Sequence, residues 1–182
     1  AQTATFILDL SDEQIASSPT LLQRELRLSE QGLLQTIQSH PTFIRAYFDL
    51  GFLYQAWAAR FDESKLVQAE DVLLDAVARF PNNPLSSWAL VGVYLDEGKF
   101  VEALELADRA LALDPRVKNS QLRYLLTLKL ISEPEQALAK LDEFSLSDPS
   151  IVAIITPYLE KDVSSKQQEM ELLFRYYYDA AF

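Results

Sequence analysis

The residues able to do chemistry are few, and their spacing points away from catalysis. His40 is the single histidine and stands directly before Pro41. Any Ser-His-Asp arrangement would have to use it, yet no nucleophile elbow or oxyanion signature accompanies it. At a helix end before proline, an imidazole ordinarily helps satisfy the terminal carbonyls. Paired acids occur at Asp62-Glu63 and Asp142-Glu143; without the Gly-centred loop that calcium requires, they read as exposed helix-end carboxylates. The chain has no cysteine, which rules out a disulfide, a zinc-thiolate site and a thiol nucleophile. No Gly-rich phosphate loop is present. These residues predict no enzyme, no metal and no cofactor, and leave binding through shape and apolar surface.

A chain of 182 residues that is 49% apolar is long enough for one domain that buries roughly 70% of the surface its unfolded form exposes. Its 4 glycines and 8 prolines are too scattered to mark a linker, so a continuous domain is expected. The formal charge of −11, from 16 basic and 27 acidic residues, argues against nucleic acid, which needs clustered Lys and Arg. It reads as a solvated acidic surface. The longest apolar run, Ile151 to Leu159, contains Thr156 and Pro157 and falls far short of the roughly 20 residues of a membrane span. A soluble protein is expected. The chain opens on Ala1-Gln2 without a methionine, which predicts the periplasm or cell envelope if Ala1 is a processed terminus and the cytoplasm otherwise.

The elements that must position a binding surface are helices. Prolines 81, 115 and 149 fall 34 residues apart, a period proper to stacked helix-turn-helix units. Twelve, eight and five residues before them stand Ala69, Leu73 and Ala76; Ala103, Ala107 and Ala110; and Ala137, Leu141 and Phe144. Ser29, Leu33 and Thr36 hold the same offsets before Pro41. Counting forward, Leu50, Leu90 and Tyr124 lie nine past a proline, and Tyr54, Tyr94 and Leu128 thirteen past. Small residues at such offsets let paired helices approach to about 8–10 Å. Gly98 marks a turn inside one unit, able to take the left-handed conformation that ends a helix.

The flanks are less regular. Ser18-Pro19 predicts the start of a helix from about Pro19 to Ser39, ended by His40-Pro41, that reads as the second helix of a unit whose first is missing or degenerate. Before it, Ser11 with Gln14 forms a small capping box. Residues 1–10, with Thr5, Phe6, Ile7 and Leu8, show no helical period and read as an extended arm or a disordered end. The unit closed by Pro81 is six residues longer than the others; the excess lies between Tyr54 and Ala69, where Trp57 and Phe61 suggest one more helical turn. A longer loop and a functional protrusion are both open there. Past Pro149, Pro157 should kink or shorten a helix, and Met170, Phe174 and Tyr177 replace the usual small-large-small pattern, as in a capping unit.

Tyr47, Leu50, Gly51 and Tyr54 match the W-x2-L-G-x2-Y opening of a tetratricopeptide unit, and from about residue 42 to 149 the chain resembles the tetratricopeptide repeat (TPR) family. The resemblance implies an all-α fold, a right-handed superhelical solenoid of antiparallel helix pairs with three full repeats and degenerate N- and C-terminal capping helices. It divides the chain into an N-terminal arm, 1–18, and a single helical domain, 19–182. That domain holds a half-repeat at 19–41, repeats at 42–83, 84–117 and 118–149, and a capping pair at 150–182. Val91 and Leu125 depart from the family pattern, standing where a small residue usually follows the first-helix Leu, and Ser132-Glu133-Pro134 replaces a Gly turn.

In that family the first helices of successive units line a concave groove that takes peptides or partner helices. The resemblance implies a partner-binding groove here made by Arg45, Phe48, Phe52 and Gln55, then Trp88, Gly92 and Leu95, then Leu122, Arg123, Leu126 and Lys129. A cationic clamp for chaperone tails is not expected, because Phe48, Phe52, Ala89, Asn119 and Arg123 occupy its places and only Arg123 fits. What remains is apolar and aromatic. Burying each large apolar side chain is favourable by roughly 1.5–3 kcal/mol, so this set calls for a cover. The implied function is a protein-protein interaction scaffold holding an apolar peptide or amphipathic helix. Self-occupancy by residues 5–10 and plain core packing are the other readings of the same residues. A different class is a structural subunit or fragment of a larger cell-envelope or secretion assembly, joined through an aromatic surface at Tyr176, Tyr177 and Tyr178 that would also serve a homo-oligomer.

Overall fold

The computed structural model describes residues 2–8, 10–131 and 133–159. All regular structure among them is α-helical, and it falls into two compact units, one ending at Pro81 and one beginning at Asn82. The first holds α1 (Gln2–Leu8), α2 (Asp12–Ser17), α3 (Pro19–Ser39), α4 (Ile44–Arg60) and α5 (Lys65–Arg79). The second holds α6 (Pro84–Asp96), α7 (Phe100–Leu113), α8 (Lys118–Leu130), α9 (Pro134–Ser145) and α10 (Ser150–Leu159). The helices α4 and α5, α6 and α7, and α8 and α9 pack as pairs. No helix among the described residues is long and apolar enough to cross a membrane. Met170, Phe174 and the tyrosines at 176, 177 and 178 lie outside the described residues.

Local chemistry sets the helix ends. Ser11 accepts from Gln14 N while Gln14 returns the bond to Ser11 N, closing the capping box before α2. Ser18 precedes α3 with Pro19 at its first position, where a missing N–H costs nothing. Asn83 accepts from Leu85 N at 2.9 Å and starts α6. Gly98 has φ +72°, the left-handed turn between α6 and α7. Two aspartates, Asp62 and Asp148, each accept from the backbone N–H and the hydroxyl of the serine two residues on, Ser64 and Ser150, and so set the turns before α5 and α10. Those serine hydroxyls hold both carboxyls below the usual aspartate range.

A further device recurs six residues past a closing proline. Tyr47 Oη donates to Pro41 O at 3.1 Å, and Gln121 Nε2 donates to Pro115 O at 2.9 Å. A first-helix side chain in each case satisfies a carbonyl left over from the turn before it. The Tyr47 ring also meets Phe80 edge to face, with centroids 5.8 Å apart.

Two kinds of helix result. The second helices bury one stripe: Leu66, Ala69, Leu73 and Ala76 on α5, and Ala103, Leu106, Ala107 and Ala110 on α7. The first helices are buried around their circumference, over Leu50–Trp57 without a break on α4 and Ser120–Leu128 without a break on α8. Between α4 and α5 the approach is limiting. A Cβ placed on Gly51 would sit 2.7 Å from Leu73 Cγ and 2.8 and 2.9 Å from its two methyls. In the next pair the volumes are exchanged, with Val91 at the glycine's place and Ala107 at the leucine's, both fully buried.

One expectation changes on a flank. Residues Gln2–Leu8 form a helix where an extended or disordered arm was expected. Ala4 and Ile7, three apart, are fully buried, and α1 packs against α3 and α4. Tertiary contacts thus impose a helix that so short a segment would not hold alone. The excess length in the unit closed by Pro81 is mostly one more turn of helix, since α4 has 17 residues against 13 in α6 and in α8. Trp57 on that turn is buried.

Alanine at Gly51 would gain up to ~1 kcal/mol of helix propensity, but the whole Leu73 side chain would have to move in a fully buried site. We expect Gly51→Ala to lose about 1–3 kcal/mol net, read as a lower urea midpoint. Leu73→Ala alone should cost about 2–5 kcal/mol. The double variant should cost less than the sum of the two, and strict additivity would show that the pair does not limit the approach.

Candidate interaction surface

The expected groove residues sit on the first helices, and most of them are interior. In the first unit Phe48, Phe52 and Gln55 are each 2% exposed, with Arg45 partly exposed beside them. Arg45 Nε donates to Asp49 Oδ1 at 2.9 Å, and its guanidinium lies 5.2 Å from the Phe48 ring centroid. In the second unit Trp88, Leu95, Leu122, Arg123 and Leu126 are all buried, as is Gly92, while Lys129 is partly exposed. Trp88 Nε1 donates to Ser120 Oγ at 3.2 Å, tying α6 to α8 through a buried bond. Lys129 Nζ donates to Leu159 O and so receives the carbonyl end described for α10.

Several neighbours were not singled out from sequence. Lys65, at the start of α5, reaches Glu30 on α3 at 3.2 Å and passes over the rings of Tyr54 and Trp57, its Nζ 5.1 and 4.1 Å from their centroids. This cation and two aromatic faces bind α3, α4 and α5 across one edge. Burial, then the Glu30 carboxylate, pushes the Tyr54 phenol well above its ordinary range. Burial, then Asp108, does the same to Tyr124, whose Oη donates to Asp108 Oδ1 at 2.7 Å.

Arg60 is the second omission. It is the last residue of α4 and donates to Leu8 O at 2.8 Å, Leu10 O at 3.2 Å and Asp12 Oδ1 at 3.2 Å. Thr3 adds a bond from Ser29 Oγ on α3 at 2.9 Å. The available signal for α1 was the Ala4, Ile7, Leu8 spacing of three and four; for Arg60 it was a charge placed where the inserted turn ends.

The residues weighed for catalysis and metal binding and set aside occupy helix-end positions. His40 follows α3, with its N–H donating to Thr36 O at 2.8 Å and its ring Nδ1 3.0 Å from Ser39 Oγ. Glu143 pairs with Lys140 at 2.7 Å.

Paired helices, small residues at the close approach and prolines closing the pairs define helix-pair repeat units. No protein-family model and no curated protein sequence matches the chain. A solved structure does: the crystal structure of TTC0263, described as a thermophilic TPR protein in Thermus thermophilus, has a TM-score of 0.64 and 18% sequence identity, covering 86% of this chain and 88% of that chain. At this identity the likeness is one of fold, and the fold is that of a TPR protein.

The two tyrosines give a pH test. Both folded-state phenols titrate above the unfolded value of 10.0, so their stabilisation is fully present below that pH and is lost as pH rises beyond it. Urea unfolding across the range from about pH 9 to 12 should show falling stability. Tyr54→Phe and Tyr124→Phe should each flatten the fall, and an unchanged slope in both would exclude these groups as its source.

Proposed function

We propose that this chain is a protein-interaction scaffold that receives an apolar peptide or amphipathic helix on the faces of its first helices, α4 in one unit or α6 and α8 in the other. The observation that carries the reading is α1. A seven-residue helix with an apolar side already lies against α4 and α3, with Ala4 and Ile7 fully buried. The contact is made on the face of α4 that α1 occupies, while Phe48 and Phe52 in one unit, and Trp88, Leu95, Leu122 and Leu126 in the other, are interior and hold the first helices in shape. Arg45 and Lys129, partly exposed at their edges, supply charge for orientation. In this reading residues 2–8 are a self-ligand, in place of the 5–10 segment inferred from sequence.

The mechanism is preorganised binding. Helices locked by the Gly51 and Leu73 approach and by the Trp88 to Ser120 bond lose little freedom on association, so the ordering cost falls on the partner. No proton or group transfer is needed. An acidic chain of charge −11 would favour partners with basic flanks around an apolar face.

Selection of random 12- to 16-residue peptides on the immobilised full chain, followed by amide chemical-shift mapping, tests this. Enriched peptides should be amphipathic, with dissociation constants on the order of 1–100 μM, and should perturb α4, or α6 and α8. Enrichment of polar or extended peptides, or shifts confined to α5, α7 and α9, would overturn the reading.

A further inference from the structure

Within the first unit, α1 has no basic residue in its last turn and no acidic residue in its first. Its carbonyl end therefore lacks any compensation of its own. A helix of seven residues is too short to persist by backbone bonding, because nucleation is unfavourable and few bonds repay it. What α1 lacks, α4 provides. The Arg60 guanidinium donates to Leu8 O and to Leu10 O just beyond it, while Leu10 N turns back to Ile7 O at 3.4 Å. Asp12 faces the same guanidinium from the start of α2, so the segment on both sides of the turn is held by one side chain. Arg60 itself is 17% exposed and fixed at three points.

The position of Arg60 is a result of the extra turn. The first helices of the second unit stop after 13 residues, and only α4 continues to 17. The added turn buries Trp57 under Lys65 and ends with the guanidinium at the α1 carbonyls. The insertion is thus placed to receive a helix terminus, and the apolar face beside it receives Ala4 and Ile7.

We infer that the α3/α4 face of the first unit is a receptor for the carbonyl end of a short amphipathic helix, with Arg60 as its capping group and residues 2–8 as its resident, in-cis occupant. It recognises a small residue and a branched aliphatic three positions apart, followed by unsatisfied backbone carbonyls. This rests on the reading of the first helices as a binding face, and it names the ligand class for one of them.

Two measurements on the full chain test it. In hydrogen exchange, Arg60→Gln should speed exchange at Phe6, Ile7, Leu8 and Leu10 at least tenfold and leave α3 and α5 unchanged; unchanged protection at those four amides overturns the proposal. In the second, Ile7→Glu frees the face, and a fluorescein-labelled peptide of native residues 1–12 is titrated by anisotropy. The peptide should bind Ile7→Glu at least tenfold tighter than the unaltered chain, and Arg60→Gln added to Ile7→Glu should lose at least tenfold. No saturable binding, equal binding to both chains, or indifference to Arg60 overturns it. Protection of α1 that depends on protein concentration, with a dimer on gel filtration, would assign the occupant to a second copy and overturn the in-cis claim. Failure of the peptide selection leaves these outcomes standing, and their failure leaves the selection standing.

Discussion

How closely α4 and α5 can approach is set by one atom that is absent. With no Cβ at Gly51, the branched end of Leu73 lies where that atom would be. The contact brings the two backbones into register, and register decides which α4 residues face α5 and which face α1 and α3. Tyr47 then falls against Phe80 and within reach of the Pro41 carbonyl, and Trp57 beneath Lys65. A glycine in mid-helix is a poor helix former, by about 1 kcal/mol relative to alanine. Its presence there is explained by packing.

The difference between the two kinds of helix follows from the same geometry. A helix that packs along one side needs a single stripe, and α5 and α7 carry one. A helix flanked by α1, α3 and α5, as α4 is, must be apolar on several sides, and its buried residues run through the sequence without the 3.6-residue alternation. The buried polar groups on these helices are mostly tied to near neighbours: Thr127 donates to Arg123 O and Ser120 accepts from Trp88. Ser86 Oγ in the first turn of α6 is buried without a hydrogen-bond partner, a small cost in an otherwise satisfied helix.

Much of this fold was legible in the chain. The prolines and the small residues at fixed offsets located the helix pairs, and Ser18-Pro19 with His40-Pro41 bounded α3 at Pro19 and Ser39. Gly98 marked its own turn. These signals are local, each residing in one or two residues with restricted backbones. Less legible was whatever depends on a neighbour far along the chain. The helix at Gln2–Leu8 is packed on α3 and α4 and bonded to Arg60, about fifty residues away, and nothing within the segment announces that bond. Placement of the candidate site was intermediate. Periodicity put Phe48, Phe52, Trp88 and Leu122 on first helices, but periodicity cannot say whether a face is covered, and all four are interior.

The extra turn of α4 also works as a ruler. Each residue added to or removed from an α-helix rotates the part of the helix beyond it by about 100° and moves it about 1.5 Å along the axis. A single-residue change between Gly51 and Arg60 would swing the guanidinium away from the Leu8 and Leu10 carbonyls while leaving the Gly51 contact in place. Only length changes near a whole number of turns keep both ends of the helix in phase. Between these two residues, Ala58 and Ala59, the positions not buried, therefore tolerate substitution far more readily than the segment tolerates any change in length.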